Sequence, residues 1–222
     1  MTSASIVIPI FNSELTLMRA LTSISSLLNG NSLDLEVVAV FDGQNITCQN
    51  LFESWANKTK LPSRIEVTEH GGVSKARNLG AQISSGRNIA FLDADDEFTE
   101  ARLRYLVTDL AGKLVIGKQE IIVEGDIEYE VSIFHPSEFH LMSFVMDRRE
   151  LFNIGAFSQD YSAGSEWDLA IRAKEYGILV DRVDQVFIRR YIHRNNASHQ
   201  NKLVKDEHIK AIREHMKRNR LD

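Results

Sequence analysis

The first half of the chain alternates short, nearly continuous apolar runs with stretches whose apolar side chains recur at helical spacing. The apolar runs are rich in β-branched residues and too short for helices, which predicts buried strands. The predicted strands cover residues 5–10, 35–41, 64–68 and 88–92, and the predicted helices cover 13–28, 46–55 and 73–83. Strands separated by helices imply right-handed crossovers. The sequence therefore predicts an α/β fold around a mixed, mostly parallel sheet flanked by helices.

The second half has shorter segments and a less regular pattern. Its predicted strands cover residues 114–116, 120–123, 129–134, 179–183 and 185–191, and its predicted helices cover 147–152 and 167–176. No linker, internal repeat or low-complexity tract interrupts it, and 222 residues suit one domain. We expect a single domain over residues 1–200, followed by a helix over 201–222 that is rich in Lys and Arg.

Charge and cysteine content limit the classes of protein to which this chain can belong. Lys and Arg number 26 against 31 Asp and Glu, and this net charge of -5 argues against a nucleic-acid partner. Cys48 is the only cysteine, so an internal disulfide is impossible and a reducing compartment is favoured. No Lys or Arg precedes the first apolar run, whereas a secretory signal has basic residues there. No apolar run approaches the ~20 residues that a helix needs to span a bilayer. We expect a cytoplasmic protein.

The helix predicted at the C-terminal end has a broken apolar stripe beside its basic residues. Such a helix is usually docked on the surface of its own domain. Contact with anionic lipid at the inner face of the cell membrane is the alternative, because basic amphipathic helices bind that surface.

Polar residues follow three of the predicted strands directly. They are Phe11-Asn12 after the first strand, Asp42-Gly43 after the second, and Asp93-Ala94-Asp95-Asp96 after the fourth. Ligands bind beyond the carboxyl ends of strands in parallel sheets. The sequence therefore predicts an active site where these segments meet.

The acidic run can be interpreted in two ways. Asp93 and Asp95 are spaced so that both can point toward one ion, and carboxylate oxygens suit Mg²⁺ or Mn²⁺. The alternative is a solvated turn that caps the following helix. Spacing alone leaves both open, and delivery by a buried strand favours a metal.

A pair of glycines, Gly71-Gly72, precedes the third predicted helix. Glycines let a backbone approach a ligand closely, and the free N–H groups of a helix start favour an anion. The spacing matches neither the Walker A nor the GxGxxG pattern. Alone, the pair is typical of an ordinary turn.

Four segments together carry a family resemblance. They read SIVIPIFN from Ser5, GGVSKARNLGAQISSGRNIAFLDADDEF from Gly71, AGSEWDLAIRAKEYG from Ala163 and RRYIHRNNAS from Arg189. Over about residues 4–198 the chain resembles a family 2 glycosyltransferase of the GT-A fold, with a Rossmann-like sheet. The resemblance implies inverting transfer of a sugar from a nucleotide-diphosphate donor, with UDP expected. It also implies Mn²⁺ or Mg²⁺ as cofactor and a glycan or lipid-linked acceptor.

The resemblance implies a role for each matching residue. The residues implied to bind the nucleotide-sugar are Pro9, Phe11, Asn12, Glu14, Asp42, Gly72, Arg77, Asp93 and Ala94. Among them Asp42 would bind the base, Arg77 would hold the nucleotide site together, and Asp93 would contact the ribose or the metal.

The resemblance also implies metal ligands and a catalytic base. Asp95 would bind the metal, and His193 would add a second contact, with His199 as the reserve candidate. Glu166 would be the general base, with Asp168 as its rival.

The chain departs from the family pattern at several positions. One acid is missing beside Asp42, His70 stands where Asn is frequent, and Glu166 precedes Trp167 where the family usually has Glu-Asp. Residues 114–144 carry no motif, and we expect acceptor specificity there.

Two other functions remain open from the sequence. A sugar-1-phosphate nucleotidyltransferase would carry a Gly-rich basic loop after the first strand, where this chain has Phe-Asn-Ser-Glu. A nucleotide-sugar-binding module without turnover would keep the donor residues and lack a working base.

Overall fold

A computed structural model describes residues 3–28, 33–125, 140–162, 164–193 and 201–218, with side chains of the last range from 206 onward. Its strands are β1 (Ala4–Ile10), β2 (Leu35–Asp42), β3 (Ser63–Thr68), β4 (Asn88–Phe91), β5 (Glu97–Phe98), β6 (Lys113–Val123), β7 (Val145–Asp147) and β8 (Leu179–Ile192). Its α-helices are α1 (Leu17–Ser26), α2 (Ile46–Thr59), α3 (Val73–Ile83), α4 (Glu100–Leu106), α5 (Arg148–Asn153), α6 (Ser165–Glu175) and α7 (Asn201–Arg218). A short 3₁₀ turn covers Leu141–Ser143.

The strands form one sheet in the order β3-β2-β1-β4-β7-β6-β8-β5. The first four strands along the chain pair in parallel, with β1 between β2 and β4 and with β3 on the edge beside β2. β7 runs antiparallel to both β4 and β6, whereas β6 and β8 run parallel to each other. The predicted mixed sheet with a parallel half is confirmed.

The parallel half is buried because helices cover both of its faces. Every residue of β1 and β2 is buried. Successive side chains of a strand point to opposite faces, so Ile6 and Ile8 pack with α1 and α2, while Val7 packs with α3. This arrangement explains why these strands read as continuous apolar runs.

The second half differs from the prediction in its strand boundaries. The two short strands predicted on each side of Gly117 are one strand, β6, and the two predicted around Asp184 are one strand, β8. The β6–β8 register shifts near Gly117, where a Cβ would lie 2.1 Å from the Phe187 ring. This close approach breaks the apolar alternation without ending the strand. The predicted strand 129–134 lies outside the described residues.

Three elements were not predicted, namely β5, α4 and β7. Each is short, and α4 has only seven residues. α4 starts at a capping hydroxyl, because the Thr99 side chain accepts from the Arg102 backbone N–H. Elements of this length carry too few apolar positions to show a period.

α7 lies against α6, with Ala211 fully buried in the contact. The division of the chain into a domain and a docked helix stays a prediction. None of the described helices combines the length and the apolar character that crossing a membrane requires.

Candidate active site

Three loops meet at one edge of the parallel half-sheet. β1 pairs in parallel with β2 so that Ile10 lies opposite Phe41, and β4 runs parallel to β1 on its other side. The polar residues after these strands therefore share the carboxyl edge, as the sequence predicts. This edge is the candidate active site.

Asp42 organises the turn that begins α3. Its buried carboxylate accepts hydrogen bonds from the backbone N–H groups of Gly71 at 2.7 Å and Gly72 at 2.9 Å. The same carboxylate lies 2.9 Å from Nδ1 of His70. Gly72 has φ +90°, a conformation that favours glycine. The glycine pair is thus positioned by a charged acceptor on β2.

The aromatic pair Phe11–His70 lies beside this turn. The two rings stack with centroids 4.4 Å apart and planes 17° apart, and the Phe11 side chain is 52% exposed. Asn12 follows with φ +47°, and Glu14 accepts a hydrogen bond from the Asn45 side chain at 2.7 Å. Pro9 is buried within β1. Phe11 and His70 therefore present the open aromatic surface of this edge.

Arg77 connects α3 to the acidic loop. Its guanidinium is buried and donates to the Asp93 carboxylate at 2.7 Å. The guanidinium also lies over the Phe157 ring, 5.5 Å from its centroid. The side chain fixes Asp93 in place, while buried Ala94 follows it in the loop.

Asp95 and Asp96 form the inner part of the loop, and β8 faces them. Asp95 Oδ2 lies 3.4 Å from Nε2 of His193, the residue that follows β8. Asp96 is buried and accepts from the Tyr191 backbone N–H at 3.1 Å. Burial and the charge of Asp93 raise the pKa of Asp95, and burial and the charge of Asp95 raise the pKa of Asp96 well above its ordinary value. His199, the reserve candidate, lies outside the described residues.

Glu166 is the second residue of α6, and its surroundings are those of the acidic loop. Burial is the main cause that raises the pKa of its carboxyl group. The charge of Arg77 opposes this rise, and the charge of Asp93 adds to it. Glu166 is thus close enough to both residues of the Arg77–Asp93 ion pair to respond to their charges.

Asp168 occupies a different environment on the same helix. It is buried, and its Oδ2 accepts from Nε of Arg172 at 2.8 Å and from a terminal nitrogen of Arg172 at 2.6 Å. Arg172 also donates to the carbonyls of Ile154 and Ala156. Through Arg172, Asp168 therefore anchors α6 to residues 154–156, and the choice between Glu166 and Asp168 as the base stays a prediction.

The family assignment comes from the match of residues 5–166 to the model for glycosyl transferase family 2. The chain belongs to this family. One relative, the minor teichoic acid biosynthesis protein GgaA of Bacillus subtilis, is 34% identical over 102 residues, which are 45% of this chain and 23% of GgaA. Another, a PGL/p-HBAD biosynthesis glycosyltransferase of Mycobacterium bovis, is 28% identical over 94% of this chain and 83% of its own length.

Solved structures confirm the GT-A fold of this chain. TarS 1–349 of S. aureus in complex with UDP-GlcNAc has a TM-score of 0.68 at 17% identity, covering 89% of this chain and 61% of that one. The mannosyltransferase PcManGT of Pyrobaculum calidifontis, in complex with GDP-Man and Mn²⁺, has a TM-score of 0.72 at 16% identity. The match covers 100% of this chain and 65% of PcManGT. The matched segment spans less than a quarter of the first curated relatives, 23% of GgaA and 14% of a Rickettsia bellii glycosyltransferase.

The residues around Asp95 fit part of a divalent-metal site. A carboxylate and an imidazole face each other at Asp95 and His193, and a cation would relieve the repulsion among the neighbouring acids. Magnesium sites of this kind use one or two protein carboxylates together with substrate phosphates. Within the described part of the chain, no group of three or more His, Cys, Asp or Glu is arranged to hold a metal alone.

The sequence pattern does not predict a role for Arg102, whose charge interacts with Asp93 and Asp96 of the acidic loop. Its side chain is fully buried and donates to the carbonyls of Met142 at 2.7 Å and Phe144 at 2.9 Å. Burial lowers its pKa to about 9, and the charges of Asp93 and Asp96 oppose that shift. No local pattern marks this arginine, because its role depends on segments far apart in the chain.

His70 was noted only as a departure from the family pattern, and its contacts with Asp42 and Phe11 were not predicted. The sequence feature that could have indicated these contacts is the position of His70 next to the Gly71-Gly72 pair. An imidazole there can donate to a carboxylate on β2 and stack on an aromatic ring.

Proposed function

We propose that this chain is an inverting glycosyltransferase that moves a sugar from a nucleotide-diphosphate donor, with UDP expected, to a hydroxyl of a glycan or lipid-linked acceptor. The observation that carries the proposal is the shared environment of Glu166 and the Arg77–Asp93 ion pair. A carboxylate whose pKa responds to the charges of Arg77 and Asp93 thus lies near the loop implied to bind the donor.

The donor would lie along the carboxyl edge of β1, β2 and β4. The exposed faces of Phe11 and His70 suit a stacked base, and Asp42 holds the turn beneath them. TarS has been crystallised with UDP-GlcNAc and with UDP, which supports a UDP donor here. PcManGT has been crystallised with GDP-Man, so GDP-sugars belong in the same binding test.

The diphosphate leaving group would be stabilised at the acidic loop. Asp95 and His193, with Asp93 beside them, would hold Mn²⁺ or Mg²⁺. Such a cation stabilises the negative charge that develops as the nucleotide diphosphate departs. Arg77 keeps Asp93 in position through their ion pair.

Glu166 would accept the proton of the acceptor hydroxyl during attack on the anomeric carbon. General-base catalysis of this kind contributes about 10²–10⁴-fold to a rate. A single displacement inverts the configuration at that carbon. Since burial raises the pKa of Glu166, activity should fall as the pH drops through that raised value, where the carboxylate becomes protonated.

The test compares Glu166→Gln with Asp168→Asn. Donor binding is measured by calorimetry with UDP-sugars and GDP-sugars, with and without Mn²⁺, and turnover is measured by release of the nucleoside diphosphate. We expect Glu166→Gln to bind donor like the wild type and to lose at least ~100-fold in turnover. We expect Asp168→Asn mainly to lower the stability of the fold, because it weakens the ion pair with Arg172.

Two results would contradict this proposal. Full transfer activity in Glu166→Gln together with its loss in a folded Asp168→Asn would move the base to Asp168. A wild-type chain that binds donor but shows no turnover with any acceptor or with water would indicate a binding module.

We also propose that α7 brings the enzyme to the inner face of a membrane that carries the acceptor. Ile212 and Met216 lie one turn apart on α7 and are both exposed, and so are Arg213 and Lys217 beside them. Apolar side chains next to basic ones suit a surface of anionic lipid.

A further inference from the structure

The turn before α6 is held by α7. The Ser162 backbone N–H donates to Oε1 of Glu207 at 2.8 Å, and Glu207 is only 9% exposed. Gly164 precedes α6, and a Cβ on it would lie 3.0 Å from Cβ of Glu207. The turn and α7 are therefore in direct contact, and a methyl group at Gly164 would require a shift of a few tenths of an ångström at Glu207.

Further contacts join the two segments through α7 residues that follow Glu207. The Tyr161 hydroxyl donates to the Glu214 carboxylate at 2.6 Å, and Lys210 donates to the Asp160 carbonyl at 2.9 Å. The rings of Trp167 and buried His208 lie 4.6 Å apart. α7 thus contacts residues immediately before and immediately after Glu166.

The far end of α6 is also fixed to α7. Glu175 accepts from Arg218 at 3.0 Å and contacts His215. These contacts hold the end of α6 that is remote from the acidic loop. They supply a control, because they join the same two helices without touching the turn before Glu166.

We infer that Glu207 is a positioning residue for catalysis, because it fixes the turn from which Glu166 reaches the acceptor. This inference rests on the proposed role of Glu166 as the base. The direction of Glu166 is set by the first turn of α6, since it is the second residue of that helix. α7 lies beyond residues 5–166, so the matched family pattern does not include this contact.

The first test replaces Glu207 in two ways. Glu207→Leu removes the acceptor for the Ser162 N–H, and Glu207→Gln keeps a carbonyl oxygen in its place. Misplacement of a catalytic group by 1 Å can cost about 100-fold. We expect Glu207→Leu to lower kcat by at least ~10-fold with the KM for donor nearly unchanged. Glu207→Gln should restore most of kcat.

The control is Glu175→Gln, which weakens the far end of the same helix pair. It should lower the melting temperature while kcat stays near the wild-type value. If Glu175→Gln lowers kcat as much as Glu207→Leu, general loosening of α7 explains both results and the inference is overturned.

A second variant, Gly164→Ala, keeps the test decisive if Glu207→Leu does not fold. Gly164 has φ -136°, outside the left-handed region that favours glycine, so the new methyl group acts mainly by pushing the turn away from Glu207. We expect a loss of kcat in a folded protein. Wild-type kcat in Gly164→Ala, or in a folded Glu207→Leu, overturns the inference.

Glu166→Gln separates this inference from the proposed function. If Glu166→Gln is inactive while Glu207→Leu is fully active, the base assignment stands and only the positioning role fails. If Glu166→Gln remains fully active, the base assignment itself is wrong.

Discussion

Asp42 binds the His70–Gly72 turn through two backbone N–H groups and one imidazole. A carboxylate suits this position because both of its oxygens accept hydrogen bonds, and charged acceptors form stronger hydrogen bonds than neutral ones. The family resemblance assigns Asp42 to the nucleotide base. In the structure it holds the turn that begins α3, so the implied contact with the base and the start of α3 would depend on the same side chain.

Replacing Asp42 with asparagine should therefore reduce stability as well as donor binding. The amide has one acceptor oxygen, and its NH₂ group would face a backbone N–H of Gly71 or Gly72. We expect Asp42→Asn to lower the free energy of unfolding by about 1–3 kcal/mol, as for other buried groups left without a partner. Urea unfolding measures this loss.

The matched control for Asp42→Asn is Asp109→Asn. Asp109 is an exposed carboxylate paired with Arg87 at 2.8 Å, and exposed pairs contribute at most about 1 kcal/mol. Equal unfolding free energies for wild type and Asp42→Asn would show that the turn does not depend on the carboxylate.

Single residues also show where reasoning from the sequence stops. The grouping of Asp42 with the acidic loop follows from parallel strands, whose carboxyl ends share an edge. The contacts of Arg102 and Glu207 join segments far apart in the chain, and no local spacing encodes them. Glu166 and Asp168 are two residues apart, and the difference in their surroundings, Arg172 beside Asp168 and the charges of Arg77 and Asp93 near Glu166, comes from the fold and not from the spacing.

At the scale of elements, α3 packs closely on the sheet at Gly80. A Cβ on Gly80 would lie 2.3 Å from Cγ1 of Val7 and 3.1 Å from Cγ2 of Val40. Alanine favours a helix by about 1 kcal/mol over glycine, but crowding in a packed core costs about 1–3 kcal/mol. The steric effect should therefore outweigh the gain in helix propensity.

We expect Gly80→Ala to lower the free energy of unfolding and Val7→Ala to restore part of the loss in the double variant. The cycle of wild type, both single variants and the double variant isolates the coupling between the two positions. Strict additivity in urea unfolding would mean that α3 does not press on β1 at this point.

The elements predicted well are those with a strong local pattern. β1 and β2 are buried on both faces and read as unbroken apolar runs. β6 and β8 were each predicted as two strands because Gly117 and Asp184 interrupt their apolar residues. Their pairing continues across those positions with a shift in register, which only the partner strand determines.

At the scale of the whole molecule, the net charge of -5 opposes binding to an anionic membrane. The exposed face of α7 has the opposite character, with Arg213 and Lys217 beside Ile212 and Met216. Each basic residue near such a surface contributes about 1 kcal/mol. Binding through α7 should therefore be weak, dependent on anionic lipid and reduced by salt.

Sedimentation with vesicles of phosphatidylglycerol and phosphatidylcholine tests this expectation. The wild type should sediment more with the anionic vesicles than with pure phosphatidylcholine, and the double variant Arg213→Glu, Lys217→Glu should lose the difference. Arg104→Glu reverses a charge that is exposed on α4 and should leave binding unchanged. Equal sedimentation of all three proteins would exclude α7 as the contact.

The seam between β4 and β7 is short, with three residue pairs from Asn88–Asp147 to Ala90–Val145. The groups assigned to the donor base lie on the parallel side of that seam, and Glu166 and α7 lie on the other. Because few residue pairs cross this seam, the parts on its two sides can be exchanged between related chains to make chimaeric proteins. Under the proposed function, exchanging everything from β6 onward, residues 114–144 included, should change which hydroxyl accepts the sugar, while the choice of nucleotide is inherited from the N-terminal parent.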